Sequence, residues 1–274
     1  IVYGANDIPI SGFNQALPSS CGLDGKVYCV GTNVGNMVLF YNKAMFDKAG
    51  IAYPSGTTPM NFQQYTALAH KLTQKAADGK TSVWGTGNVG VISWLDPDVL
   101  LDSTGRKVEA TKPDFLNTIK TLSDSAQAGD MPTDDQVAAL GGGDGADAMF
   151  LDGKLAMVPS DNYLIAQADK AGVDYGLTPL PVPTGYKPWV VTWVNSYGIP
   201  HGAKHSAAAA KFLAFMATTG QEIQAKYGYM PLATGEANKW ANTDIRKQLV
   251  SIASLARPTV PQPNEGEWQT PLED

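Results

Sequence analysis

The chain has 274 residues, with 20 basic and 26 acidic side chains and a formal charge of −6. That length suits two cores better than one, and the acidic balance makes nucleic acid or an anionic membrane surface a poor main partner. An apolar share of 43% with 17% charged residues is ordinary for a globular protein, and no apolar run is long enough for a membrane helix.

The opening residues Ile1-Val2-Tyr3-Gly4 have neither the basic nor the apolar part of an export leader, so a processed or truncated chain is expected. The two cysteines, Cys21 and Cys29, flank Leu23-Asp24-Gly25 and could face each other across a hairpin. They are either small core residues or a disulfide, and a disulfide suits a compartment outside the reducing cytosol. Two β-type runs follow, at 26–30 and 37–41. Between them Gly31-Thr32-Asn33-Val34-Gly35-Asn36 reads as a flexible link between two rigid bodies, and a helix starts at 44. Thr58-Pro59 predicts the next helix start, a hydroxyl cap before a proline. Phe62, Tyr65, Leu68, Ala69 and Leu72 make its apolar face.

A strand is expected at 81–84. A helix opens at Thr111-Lys112-Pro113-Asp114, with Phe115, Ile119, Leu122 and Ala126 buried and Gly129 as its stop. Residues 140–145 read as a mobile loop, 146–152 as a short helix and 153–158 as a strand. Another strand is expected at 190–200. Ser206 then caps a helix that buries Phe212, Leu213, Phe215 and Met216 and stops at Gly220. Alternation of strands and helices predicts an α/β fold.

Gly85-Thr86-Gly87-Asn88-Val89-Gly90 fits a dinucleotide pattern, but the stretch behind it is too short and too soon broken by Pro97 to supply a phosphate-facing helix. His201 and His205 lie on a turn without a nearby carboxylate, a poor zinc site. There is no nucleophile elbow, and the pairs Asp96/Asp98 and Asp134/Asp135 have no defined separation across a cleft. No cofactor, metal or catalytic residue is therefore expected. Trp84, Trp94, Tyr163, Trp189, Trp193, Tyr229 and Trp268 fall mostly beside glycines, prolines and strand ends. Aromatic rings stack on the C–H faces of sugars, while amides and carboxylates bind the hydroxyls. Asn33, Asn36, Asn88, Asp161, Asn162 and Asn195 could supply those partners.

The segment GKVYCVGTNVGNMVLFYNKAMFDKAGI resembles the crossover of family 1 extracellular solute-binding proteins, the receptors of bacterial ABC importers of which the maltose-binding type is best known. MFLDGKLAMVPSDNY, with Tyr163 at an aromatic position, resembles a second family signature, and 175–182, 227–231 and 257–268 resemble further ones. The resemblance implies a type II, periplasmic-binding-protein-like fold of two discontinuous α/β lobes joined by a hinge. The lobes would be 1–35 with 181–230, and 36–180 with 231–274, in a chain lacking N- and C-terminal segments of the family. It implies an extracytoplasmic receptor, periplasmic or lipid-anchored at the cell surface, monomeric, that passes a carbohydrate to membrane permease subunits. Ligand contacts would come from Asn33, Asn36, Asn88, Trp94, Asp161, Tyr163, Trp193, Tyr229 and Trp268, with Cys21 and Cys29 paired. The alternatives are a secreted carbohydrate-active hydrolase, a receptor of the same fold for a non-sugar solute, and a regulatory domain without transport.

Overall fold

The structure, a computed structural model, describes residues 22–23, 26–27, 29–87, 95, 97–102, 107–142 and 145–255. A two-stranded hairpin, β1 (Gly22–Leu23) with β2 (Lys26–Val27), leads into the 14-residue strand β3 (Cys29–Asn42). The expected flexible link at 31–36 is part of β3, and all six of its residues are buried. Its glycines serve close approach, not bending. A Cβ on Gly31 would lie 2.5 Å from Val194 and Leu232, and one on Gly35 would lie 2.2 Å from the Trp193 ring.

Helix α1 (Lys43–Ala49) starts where the Asn42 side chain accepts from Met45 N, and it ends at Gly50, whose φ of 65° few other residues adopt. Helix α2 (Phe62–Leu72) begins later than Thr58-Pro59 suggests. Asn61 and Gln64 form a reciprocal capping box there, satisfying two otherwise orphan N–H groups. Phe62, Tyr65, Ala69 and Leu72 are its buried face. A small pair, β4 (Gln74–Lys75) and β5 (Thr81–Val83), and a short α3 (Pro97–Leu100) precede α4 (Pro113–Gln127).

Proline opens α4, but no side chain caps it, and its buried face is Phe115, Thr118, Leu122 and Ser125. Ala126 is exposed and Ile119 half-buried. Thr118 can sit inside because its hydroxyl donates to Asp114 O, and Ser125 because it donates to the Asp130 carboxylate. Helix α5 (Asp134–Gly141), capped by Thr133 with Gln136, occupies the start of the expected loop at 140–145. It packs against α6 (Gly145–Leu151). The following strand is β6 (Met157–Asp161), later than 153–158, because its pairing runs from Tyr41↔Met157 to Met37↔Asp161. Helix α7 (Leu164–Ala171) and strand β7 (Tyr175–Thr178) follow, and β7 pairs with Leu39–Asn42 on the other edge of β3.

Strand β8 (Thr192–Gly198), helices α8 (Ser206–Ala217) and α9 (Thr219–Lys226), strand β9 (Met230–Pro231) and helices α10 (Thr234–Trp240) and α11 (Asp244–Ala253) complete the described chain. Strands β8 and β9 both pair with the first half of β3. Helix α8 departs from expectation. His205, not Ser206, is its N-cap, and it makes no capping bond. Leu213 and Ala217 are buried, whereas Phe212 and Phe215 face solvent. Gly220 lies inside α9, so Thr218 ends the helix instead.

The described residues form two compact units. One holds those up to Asn36 and those from Thr192 on; the other holds Met37–Val191. The chain thus passes between units within β3 and again just before β8. Residues 181–191 stay with the second unit, where Val182 N donates to Met60 O and Met37 N to Val191 O. Residues 230–255 stay with the first, tied by β9 to Asn33 and Val34. The second unit has a continuous core built on Leu39, Tyr41, Phe46, Phe62, Tyr65 and Met157. The cluster beneath α8 in the first unit is Val30, Leu213 and Ala217, with Ile199 at its edge.

Candidate functional site

In the first unit, buried amides line the strand where β3 meets β8. Asn195 Nδ2 donates to Asn33 Oδ1 at 2.6 Å, while Asn33 Nδ2 donates to Gln224 Oε1 at 3.2 Å and Thr32 Oγ1 at 3.3 Å. Three residues on, Thr192 Oγ1 donates to Asn36 Oδ1 at 2.9 Å, and Asn36 Nδ2 reaches Met230 Sδ at 3.4 Å. Both pairs sit at directly opposed register positions, Asn33↔Asn195 and Asn36↔Thr192. Asn33 and Asn36 were expected to offer their amides to ligand. Here both are buried and engaged within the unit, because unpaired amides at these depths would cost about 1–3 kcal/mol each. They hold the strands that carry other candidates.

Trp193 is one such candidate. It lies opposite Gly35 in register, its ring against the glycine and half-exposed. Tyr229 is exposed, next to the buried Met230. Gln221, buried on α9, fixes the chain just after it by accepting from Leu232 N and Ala233 N, both at 2.9 Å.

In the second unit, Asp161 and Tyr163 come together at the end of β6, with Asp161 opposite Met37 in register. Asp161 Oδ1 accepts from Tyr163 N at 3.1 Å, a local turn that orients the tyrosine ahead of α7. Tyr163 is 42% exposed, and its hydroxyl donates to Asp147 Oδ2 at 2.6 Å. Asp147, buried on α6, had no signal in the sequence, since no local spacing relates 147 to 163. Burial raises the Asp161 carboxyl to about 6. The Tyr163 N–H opposes this, the Asp147 charge adds to it, and the Asn162 N–H opposes it. A carboxyl poised there can accept hydrogen bonds when ionised and donate when protonated. Asn88, Trp94, Trp268 and Cys21 lie outside the described residues. Cys29 is disulfide-bonded.

Gly85 and Gly87, the described glycines of the 85–90 pattern, serve packing. A Cβ on Gly85 would lie 1.9 Å from Ala69 O on α2. The N–H groups of Thr86 and Gly87, which a phosphate would need, donate to Asp130 O and Met157 O instead. Thr86 is buried against the Tyr65 hydroxyl at 2.5 Å.

Comparison with known proteins bears on the same residues. The sn-glycerol-3-phosphate-binding periplasmic protein UgpB of Rhizobium meliloti (strain 1021) is 26% identical over 241 residues, covering 76% of this chain and 50% of the relative. The chain therefore spans about half the length of the curated relatives it matches. An ABC substrate-binding protein from Listeria monocytogenes, solved in complex with cycloalternan, superposes with a TM-score of 0.80 at 20% identity, over 96% of this chain and 68% of that one. The maltose/maltodextrin-binding domain MalE from Bdellovibrio bacteriovorus, bound to maltotriose, gives 0.71 at 21%, over 98% and 70%. These likenesses show the fold, the α/β fold of type II periplasmic binding proteins. A profile described as bacterial extracellular solute-binding protein matches residues 4–247. With that match across most of its length, the chain belongs to the bacterial extracellular solute-binding proteins, a family of binding proteins that work outside the cytoplasm.

Proposed function

We propose that this chain carries much of the ligand-binding fold of an ABC importer's receptor, and that its ligand is a carbohydrate, most simply an oligosaccharide. The observation that carries the reading is the Asp161–Tyr163–Asp147 constellation. It offers an aromatic face and two carboxyls within one turn of chain and one hydrogen bond. Stacking on the ring supplies affinity, and the carboxyls select hydroxyls. Trp193 and Tyr229 are the contacts proposed for the first unit, and Asn88, Trp94 and Trp268 are proposed from the sequence alone. Asn33 and Asn36 position Trp193. The two units belong to the two lobes of the receptor, and Cys29 pairs with Cys21, the only other cysteine in the sequence.

The mechanism is binding and closure without a covalent step. A ligand touching both lobes favours the closed state by its differential affinity, and the closed form docks on a membrane permease. The names of the Listeria and Bdellovibrio proteins, with cycloalternan and maltotriose, support a sugar. The UgpB relative supports a second reading, sn-glycerol 3-phosphate. The carboxyls of Asp161 and Asp147 weigh against it, since they would repel a phosphate.

Calorimetric titration of the protein with maltotriose, other linear and cyclic oligosaccharides and sn-glycerol 3-phosphate decides between them. Saturable binding of an intact sugar is expected, with Tyr163→Ala weakening it about tenfold, the range of one lost ring contact. Binding of the phosphate alone, turnover of the sugar, or unchanged affinity in folded Tyr163→Ala would each sink the reading.

A further inference from the structure

One hydroxyl fixes the polar cluster where β3 meets β8. Thr32 Oγ1 donates its single hydrogen to Asn195 O at 3.2 Å, so towards Asn33 it can only accept. The atom of Asn33 facing it, at 3.3 Å, is therefore the amide nitrogen, and this decides which way the other amides of the cluster point. Asn33 Nδ2 also donates to Gln224, so the atom it meets there, at 3.2 Å, is the acceptor Oε1. Asn33 Oδ1 meets the nitrogen of Asn195, at 2.6 Å. Asn33 is buried, and both ends of its amide are in use.

The two outer amides are only half engaged. Among the described residues Asn195 Oδ1 has no donor and Gln224 Nε2 has no acceptor. Asn195 is exposed and Gln224 half-buried. Both are bonded to the one amide of Asn33, so they are neighbours, one offering an acceptor and the other a donor. Trp193 lies two residues from Asn195 on the same face of β8, and the Gln224 carbonyl accepts from Tyr229 N at 3.2 Å. One strand and one backbone bond thus tie this pair of amides to the two rings proposed as contacts in this unit.

We propose that Asn195 and Gln224 form a hydroxyl-binding subsite, an inference that rests on the carbohydrate reading above. A hydroxyl satisfies both amides, since it donates to Asn195 Oδ1 and accepts from Gln224 Nε2. An ammonium group has nothing to accept with, and a fully ionised phosphate group has nothing to donate. With a hydroxyl in place the bonds run head to tail around a closed ring. Gln224 donates to the hydroxyl, the hydroxyl to Asn195, Asn195 to Asn33, and Asn33 back to Gln224. Each bond in such a chain polarises the next. Asn33 holds both amides in place and does not itself meet the ligand.

Gln224→Glu separates this role from a structural one. It keeps Oε1 for Asn33 Nδ2 and exchanges the free donor for a second acceptor. Its thermal midpoint without sugar is expected to match the parent's. Its calorimetric affinity for maltotriose, or for whichever oligosaccharide of the series above saturates the parent, should fall about fivefold, the range of one lost hydrogen bond. Gln63→Glu, at an exposed position of α2, adds the same charge elsewhere and should leave affinity unchanged. Asn195→Ala should weaken binding by a similar factor. Combined with Gln224→Glu it should weaken binding by less than the product of the two factors, because both amides hold one hydroxyl. If Gln224→Glu lowers the midpoint, Asn195→Ala at its exposed position carries the test through the same affinity measurement. Unchanged affinity in the folded variants, or an equal loss from Gln63→Glu, overturns the subsite and leaves the carbohydrate reading standing. A parent that binds none of these sugars sinks both.

Discussion

Strand β3 is one continuous element with two unlike halves. From Cys29 to Asn36 it is buried but polar and glycine-rich, and it is held to β8 and β9 by Thr32, Asn33 and Asn36. From Met37 to Asn42 it is apolar and aromatic, packed between β6 and β7. The second half sits in an apolar core with Leu39, Phe40 and Tyr41 almost wholly hidden, while the first half is buried as well but carries the polar Thr32, Asn33 and Asn36. The backbone ladder is common to both, so side chains alone make the difference. One half is fixed by non-directional burial and the other by specific hydrogen bonds.

The largest test of this contrast is Phe46→Ala. Phe46 is fully buried on α1 and packs on Tyr41, with ring centroids 5.2 Å apart. Its removal leaves a cavity in the filled unit, and a loss of about 3–5 kcal/mol in urea unfolding is expected. A loss below about 1 kcal/mol would mean that the second half of β3 is not the tightly packed one.

Next comes Asn36→Ala, which strips a hydrogen bond from Thr192 and another from Met230. A loss of about 1–2 kcal/mol is expected because a partly buried hydroxyl is left without its acceptor. The double variant with Thr192→Val should recover part of it, since both partners are then apolar. Simple additivity of the two single changes would show that the pair is not coupled. Gly35→Ala asks the same of packing. Its new Cβ meets the Trp193 ring, so a loss of about 1–3 kcal/mol is expected, and Trp193→Ala in the same chain should remove most of it.

How much of this was legible before the structure depends on the range of the interaction. Helix faces such as Phe62, Tyr65, Ala69 and Leu72 follow from local periodicity, and the crossover segment was found because its residues match a family pattern. The link at 31–36 misled because glycine reads as a turn locally. Its true reason is Trp193, Val194 and Leu232, which pairing brings from far along the chain. Asp161 and Tyr163 were found together because they are two apart in sequence. Asp147 was not, because it arrives on a different helix. Asn33 and Asn36 stand out in the sequence as polar groups at the crossover, but their burial and their partners Asn195 and Thr192, far along the chain, are invisible there.

A smaller effect is expected from pH at Asp161. Its folded-state value of about 6 lies above the ordinary 3.8, so the folded protein holds this proton more tightly than the unfolded chain does. The stability it contributes is greatest below about 4, falls as pH rises, and is gone above about 6. Asp161→Asn keeps an oxygen for the Tyr163 N–H and cannot ionise. The variant should match the parent at pH 4 and exceed it by on the order of 1 kcal/mol at pH 7, with partial exposure holding the gain down. Equal midpoints at both pH values would show that the carboxylate is already well solvated.

The smallest expected effect is the most pointed for the comparison. Phe212→Ala removes as large a ring as Phe46→Ala does, from a helix that is apolar but for Ser206 and Lys211. Because Phe212 is more than half exposed in this chain, the change should stay within about 0.5 kcal/mol here. The same change at the fully buried Phe46 forfeits the transfer of a whole ring from water, so the gap between the two losses measures burial. Two phenylalanines of equal size thus report how much of each ring folding takes out of water.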